Sequence, residues 1–174
     1  EAVITGTESF WGAEEMDRMK NLKIISRFGI GYDNVDIKEA AKRGIICTNV
    51  PDGNRNAVAE FTVALLLSLI RHIPESYNTF KQGRWDKIQG IELRGKTVGF
   101  IGFGAVARRV AELLIPFHVR LKAYDPFPRT DGIPVQMVEM PTLLKESDIV
   151  LIHVAGVPET QNLICERELK LMKP

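Results

Sequence analysis

The stretch Gly99-Phe100-Ile101-Gly102-Phe103-Gly104-Ala105-Val106-Ala107 decides the fold. It contains G-x-G-x-x-A, the dinucleotide-binding pattern in which alanine is allowed at the last position. Each small residue has a task. Gly102 permits a tight turn out of a strand. Gly104 has no Cβ, so a pyrophosphate can approach the backbone. Ala107 lets the next helix pack closely on the strand. A helix opening at Ala105 points its free N–H groups and its positive dipole end at the phosphates.

A glycine pattern alone is weak, and its context makes it specific. Thr97–Ile101 reads as an apolar strand, Ala105–Leu114 as an amphipathic helix and Val119–Tyr124 as the next strand. That strand runs into Asp125, about twenty residues after the glycines, where the ribose-binding acid belongs. A carboxylate there accepts hydrogen bonds from both ribose hydroxyls and repels a 2′-phosphate, which favours NAD over NADP. Arg129 is read as a solvated loop arginine, the other reading being that it softens this repulsion.

Outward from the glycines the βα rhythm continues. Val135–Val138 and Asp148–Val154 read as strands, and Pro141–Glu146 and Glu166–Met172 as helices. Upstream, Ala2–Thr5, Leu22–Arg27 and Ile45–Thr48 read as strands and Glu14–Lys20 as a short helix. Asp36 caps a further helix, with Glu39 closing a capping box and Gly44 ending it. Parallel strands need crossovers, so the alternation predicts parallel sheets, and the two halves suggest two related open sheets. Asn56–Arg71 is a long helix, apolar almost all round, expected to lie buried between layers. Pro74 starts a second helix towards Lys81, ended by Gly83.

Composition excludes several classes. The 174 residues are 45% hydrophobic and 26% charged, with 23 basic against 22 acidic side chains and a net charge of +1. With no Lys/Arg run, a nucleic-acid partner held by bulk charge is not expected. Phe61–Ile70, interrupted by Thr62 and Ser68, is too short to span a bilayer, so no membrane partner is expected. The first residues lack the basic region of a secretory signal. Cys47 and Cys165 have no metal-type spacing. They are expected to be buried free thiols in a reducing cytoplasm, and no metal is expected. The abrupt ends, Ala2-Val3-Ile4 and Met172-Lys173-Pro174, suggest part of a longer protein.

Four blocks carry a resemblance. They are Arg27-Phe28-Gly29-Ile30-Gly31-Tyr32-Asp33-Asn34-Val35-Asp36, Asn56–Leu67, Leu93–Gly99 with its glycine loop, and Ser147–Val154 followed by Pro158-Glu159-Thr160. In this order and spacing the whole chain resembles the D-isomer-specific 2-hydroxyacid dehydrogenases, most of all their phosphoglycerate dehydrogenase branch. The resemblance implies an α/β fold of two doubly wound parallel-sheet domains, flavodoxin-like and Rossmann, both incomplete and flanking a cleft. Residues 1–50 would be the C-terminal part of the substrate domain and residues 51–174 a truncated NAD-binding domain.

It also implies roles. The backbone of Gly29-Ile30-Gly31 would receive the substrate carboxylate, as an anion nest of successive N–H groups can. Arg27 would add charge there, or form a surface ion pair. Ile30 would approach the nicotinamide end of NAD, and Ala105 and Val106 would face the pyrophosphate through backbone N–H. Ala105 stands where the family often has arginine, which removes one phosphate contact. Val154 and Ala155 would border the cofactor, although Ala155-Gly156 departs from the proline usual there.

The implied reaction is hydride transfer between nicotinamide and the C2 carbon of a small 2-hydroxy or 2-keto acid. An arginine, an acid and a histidine serve it. All three would lie beyond Pro174, so no catalytic residue is expected within the chain, which is not expected to turn over by itself. His153 is read as a strand-end histidine beside the cofactor cleft rather than a base. His72 and His118 have no carboxylate that spacing places beside them. The substrate is open among 3-phosphoglycerate, glyoxylate, hydroxypyruvate and lactate. Two alternatives are an NAD-binding, non-catalytic corepressor-like protein and a formate or phosphonate dehydrogenase. In the family, the segment from Asn56 to Trp85 builds a two-fold dimer. Its apolar surface leads to the expectation of a homodimer, the alternative being a helix packed between the two domains.

Overall fold

The computed structural model describes residues 1–174, which form two compact units. The first comprises Glu1–Arg55 with Ala155–Gln161, and the second Asn56–Val154 with Asn162–Pro174. This division departs from a cut at Pro51. Pro51–Arg55 stay with the first unit through a run of turns that starts where the Val50 N–H donates to the Gly29 carbonyl (3.0 Å).

The first unit runs β1 (Ala2–Thr5), α1 (Ala13–Arg18), β2 (Ile24–Arg27), α2 (Ile37–Lys42) and β3 (Ile46–Thr48). Its three strands are parallel in the order β1-β2-β3, with Ile25 opposite Val3 and Cys47. The core is Met16, Leu22, Ile25, Val35, Ala40 and Ile45. Asp36 caps α2 by accepting the Glu39 N–H (2.9 Å). The expected return bond from the Glu39 side chain is missing. Lys42 and Arg43, three and four residues on, draw that carboxylate along the helix instead. At the other end the Gly44 and Ile45 N–H groups bond back to Ala41 and Ala40, a Schellman closure.

The second unit follows with α3 (Arg55–Ile70), α4 (Ile73–Lys81), β4 (Thr97–Ile101), α5 (Ala105–Leu114), β5 (Arg120–Tyr124), β6 (Val135–Met137), α6 (Met140–Glu146), β7 (Ile149–Ile152) and α7 (Glu166–Leu169). The sheet is parallel in the order β6-β5-β4-β7. Strands are added in one direction from β4 to β6, and β7 then pairs on the other side of β4. This makes the switch point of a doubly wound sheet, outside the C-terminal ends of β4 and β7. Every residue of β4 is buried, as a central parallel strand covered on both faces should be.

Helix α5 lays Ala107, Val110, Ala111 and Leu114 into the core at positions i, i+3, i+4 and i+7. On the opposite face α6 comes so close that a Cβ on Gly99 would sit 2.3 Å from Ser147 Oγ. Strand β7 runs over Ile149–Ile152, shorter than Asp148–Val154, and just before its start Asp148 turns its carboxylate onto the Thr97 N–H (2.8 Å). Helix α7 ends at Leu169 rather than Met172.

The burial expected for α3 is only half realised. Ala59, Leu66 and Ile70 are buried, whereas Phe61, Leu65 and Leu69 are 64%, 54% and 74% exposed. A helix on one side of a sheet has only one face covered within its own unit, and nothing in the chain covers the other. No single helix is long and apolar enough to cross a membrane, and α3 and α4 meet at a 62° bend.

Asp148 also accepts from Lys173 Nζ (2.8 Å). That hydrogen bond, and then the Thr97 N–H, hold its carboxyl below the ordinary carboxylate range. A depressed carboxyl stabilises the fold above its unfolded pKa of about 3.9, and the gain is lost as pH falls through the lower folded value. Asp148→Asn should therefore lower the urea midpoint at neutral pH. The difference from the parent chain should close in acid below about pH 4.

Candidate functional site

The site of the second unit forms where β4 hands over to α5. Gly102 has φ +85°, and a Cβ there would lie 2.7 Å from the His153 carbonyl oxygen and 3.0 Å from Val154 Cγ1. Both the backbone conformation and the close approach require glycine. The Gly102 N–H donates to the Tyr124 carbonyl (2.8 Å). Phe103 turns inward, edge-on to Phe100 with ring centroids 5.5 Å apart.

Gly104 is the N-cap of α5 in ordinary extended backbone, and a Cβ there would meet nothing within 4 Å. It therefore borders open space and is not demanded by the fold. The amides of Ala105 and Val106, in the first turn, have no intrahelical acceptor, as at any helix start.

Asp125 closes the constellation from the end of β5. Its Oδ2 accepts the Phe103 N–H (2.7 Å) and its Oδ1 accepts the Phe127 N–H (2.8 Å). The carboxylate is thus fixed to the glycine loop. This strut joins residues 22 positions apart, and no local pattern in the sequence signals it. Arg108 also supports the loop, donating to the Phe103 carbonyl (3.0 Å) and pairing with Asp131 (3.0 Å).

The residues present fit an adenine dinucleotide. Open space lies where a Cβ on Gly104 would point, unpaired helix amides adjoin it, and a half-buried carboxylate stands one strand away. Val154 packs into the core beneath the Gly102 turn. Ala155 opens a separate turn, its carbonyl accepting from Thr160 Oγ1 (2.5 Å) and the Val157 N–H (3.1 Å).

The glycine loop of the first unit is built differently. Gly29 has φ +148°, and a Cβ there would strike Arg27 Nη1 at 2.7 Å. Its N–H is spent on the Arg27 carbonyl (3.0 Å), so of the three expected nest amides only those of Ile30 and Gly31 remain without a partner in the chain. Arg27 is no surface ion pair. It is buried, with Nε bonded to Asn34 Oδ1 (3.1 Å) and Nη1 to the Phe28 carbonyl. Asn34 organises the loop further by donating to the Gly6 and Ser9 carbonyls (both 2.8 Å). Asn49 donates to the Ile30 carbonyl (2.8 Å).

The histidines divide as follows. His153 stacks on Phe100, burial pushes its imidazole below the ordinary value, and its Nε2 is buried without a partner. His72 does have a carboxylate beside it, contrary to expectation. It is the N-cap of α4, which places Glu75 one turn on at 3.4 Å, with both side chains exposed. Cys47 is half-buried and Cys165 is exposed rather than buried, because it caps the short α7 at the surface. No group of three or more acidic, histidine or cysteine side chains is placed to hold a metal.

A parallel sheet with this switch point, glycine turn and acid defines a dinucleotide-binding domain of the Rossmann class. The model of the family described as "D-isomer specific 2-hydroxyacid dehydrogenase, NAD binding domain" matches residues 63–174. The chain is 42% identical, over 99% of its length, to a D-3-phosphoglycerate dehydrogenase of Archaeoglobus fulgidus, and covers 34% of that protein. It is 41% identical to a hydroxypyruvate reductase of Thermotoga maritima, over 92% of the chain and 53% of the relative. A crystal structure of D-lactate dehydrogenase from Aquifex aeolicus, complexed with NAD and lactic acid, superposes with a TM-score of 0.92 at 29% identity, over 99% of this chain and 54% of that one. The chain belongs to the D-isomer-specific 2-hydroxyacid dehydrogenase family, carries its NAD-binding domain, and spans about half or less of the length of these relatives.

The two glycines of the turn should separate cleanly. Gly102→Ala, strained in φ and clashing with the His153 carbonyl, should destabilise by about 1–3 kcal/mol or more in chemical denaturation. Gly104→Ala should leave stability unchanged within about 0.5 kcal/mol.

Proposed function

We propose that residues 51–174 bind NAD for an NAD-dependent 2-hydroxyacid dehydrogenase resembling phosphoglycerate dehydrogenase, and that residues 1–50 are part of its substrate domain. The observation that carries this is the pairing of open space at Gly104 with the Asp125 carboxylate tied to the Phe103 N–H. The amides of Ala105 and Val106, behind the Gly102 turn, hold the diphosphate. Asp125 has lone pairs left for the ribose hydroxyls and disfavours a 2′-phosphate. Val154 and Ala155 border the cofactor, and Ile30 is assigned to its nicotinamide end on the resemblance. When bound, NAD supplies the acceptor for the hydride from C2 of the substrate.

The substrate carboxylate is assigned to the free amides of Ile30 and Gly31, behind Gly29, with the Arg27 guanidinium beside the turn adding positive potential. No residue of this chain is assigned the proton transfer, so reduction of a 2-keto acid by NADH is not expected from the 174-residue chain alone. Relatives named for phosphoglycerate, hydroxypyruvate and glyoxylate are 42%, 41% and 43% identical to the chain, so likeness supports a small 2-hydroxy or 2-keto acid without ranking the three. A cytoplasmic setting is proposed with it, since both thiols are free.

We further propose that the exposed faces of α3 and α4 pair two copies of the chain. Phe61, Leu65, Leu69, Tyr77 and Phe80 form apolar surface that a monomer leaves wet. Light scattering should give twice the 19.5 kDa chain mass, and Leu69→Glu should halve it. A parent chain running as a monomer throughout would count against the pairing.

Titration with NADH, read by energy transfer from tryptophan or by calorimetry, tests the nucleotide assignment. Binding should weaken by about 1–3 kcal/mol in Asp125→Ala. It should vanish in Gly104→Val, whose added side chain enters the space meant for the diphosphate while the fold stays intact. A parent chain indifferent to NADH would overturn the assignment.

A further inference from the structure

Phe103 is held by both polar groups of its main chain. Its N–H donates to Asp125 Oδ2 (2.7 Å), and its carbonyl accepts from Arg108 Nη1 (3.0 Å). A carboxylate and a guanidinium therefore stand on one residue of the glycine turn. The ion-pair partner of Arg108 is not Asp125 but Asp131, whose Oδ2 lies 3.0 Å from Nε.

Turn chemistry puts Asp131 there. It has φ +47°, Gly132 has φ +80°, and the Thr130 carbonyl accepts the Ile133 N–H (2.9 Å). Two successive left-handed residues closed by such a bond have the form of a type I′ turn, for which Asp-Gly is a favoured pair. A residue other than glycine is uncommon in that region, and Asp and Asn bear it best. The turn thus fixes a carboxylate in the segment between β5 and β6. The Asp131 side chain is 62% exposed and that of Arg108 only 21%, so an acid at the surface restrains a largely covered cation. Arg129, the cation of the same segment, is exposed, which leaves Arg108 as the guanidinium built into the turn.

We propose that Arg108 is a second determinant of coenzyme choice and that Asp131 is its restraint. Held by Asp131, Arg108 braces Phe103, and its charge is cancelled. Asp125 and Asp131 together then outweigh one guanidinium, and the net negative charge repels a 2′-phosphate. Without Asp131, Nη1 keeps the Phe103 carbonyl while the other two nitrogens become available, and a phosphate is a far stronger acceptor for them than a ribose hydroxyl. This inference rests on the nucleotide assignment above. It goes beyond that assignment by giving a share of the selection to Asp131, a residue of the β5–β6 turn that acts through Arg108.

Asp131→Asn removes the charge and keeps the turn, because asparagine tolerates the same left-handed backbone. Kd values for NADH and NADPH are measured by calorimetry at matched ionic strength on the parent chain, Asp131→Asn, Arg108→Met and the double variant. The ratio of the NADPH to the NADH value should fall about ten-fold in Asp131→Asn, since the 2′-phosphate carries close to two negative charges and gains a cation. With Arg108→Met already in place, the same substitution should lower the ratio about two-fold or less, as a screened charge acting through solvent does. Urea midpoints report folding, and a merely structural pair would move them without moving the ratio.

If Arg108→Met does not fold, the ratio in Asp131→Asn decides alone. An unchanged ratio in Asp131→Asn overturns the proposal, as does a full fall that persists without Arg108. NADH binding with an unchanged ratio sinks this inference and leaves the nucleotide assignment standing. A parent chain indifferent to both coenzymes removes the two together.

Discussion

The molecule depends on a single central strand that has no room to move. β4 is buried along its whole length, hydrogen-bonded on both sides, and pressed by α5 on one face and α6 on the other. Whatever leaves its C-terminal end therefore leaves in a fixed direction. The chain must turn at once, under the His153 carbonyl, and only glycine fits there. The position of every amide at the head of α5 follows from that turn. Packing density in the core becomes positional accuracy at the surface.

The two glycine turns solve opposite problems. At Gly29 the space a Cβ would take is filled by the Arg27 guanidinium, so glycine is needed to seat a charge inside the protein. At Gly104 the same absence opens outward and no neighbour comes within 4 Å. One turn is closed by the fold and the other is left open by it. A shared sequence signature of glycine after a strand hides this difference, because a pattern of residue types does not record where neighbouring side chains point.

Much of the second unit was legible because its signals are local. Thr97–Ile101 and Ala105–Leu114 have the same bounds in the sequence reading and in the structure, since each carries one clear period and the glycines mark the junction. The position of Asp125 at the end of β5, tied to the glycine loop, follows the spacing read from the sequence. What the sequence did not disclose depends on partners distant in the chain or competing nearby. The burial of Arg27 rests on Asn34, a loop residue whose own bonds reach back to Gly6 and Ser9. The capping-box spacing points Glu39 back to its cap, whereas in the structure Arg43 holds it. Helix α3 has a nearly uniform apolar surface, which says that burial is wanted on all sides but not what supplies it.

The strut from Asp125 to Phe103 has a consequence for recognition itself. Both oxygens are already oriented by main-chain donors, so under the proposed assignment the ribose would meet an acceptor with no rotamer left to freeze. Preorganisation of this kind raises affinity by removing an entropic cost rather than by adding a contact. It also ties selectivity to loop shape. If Asp125 selects the coenzyme as proposed, a change that tilts Phe103 would blunt that selection without touching the acid.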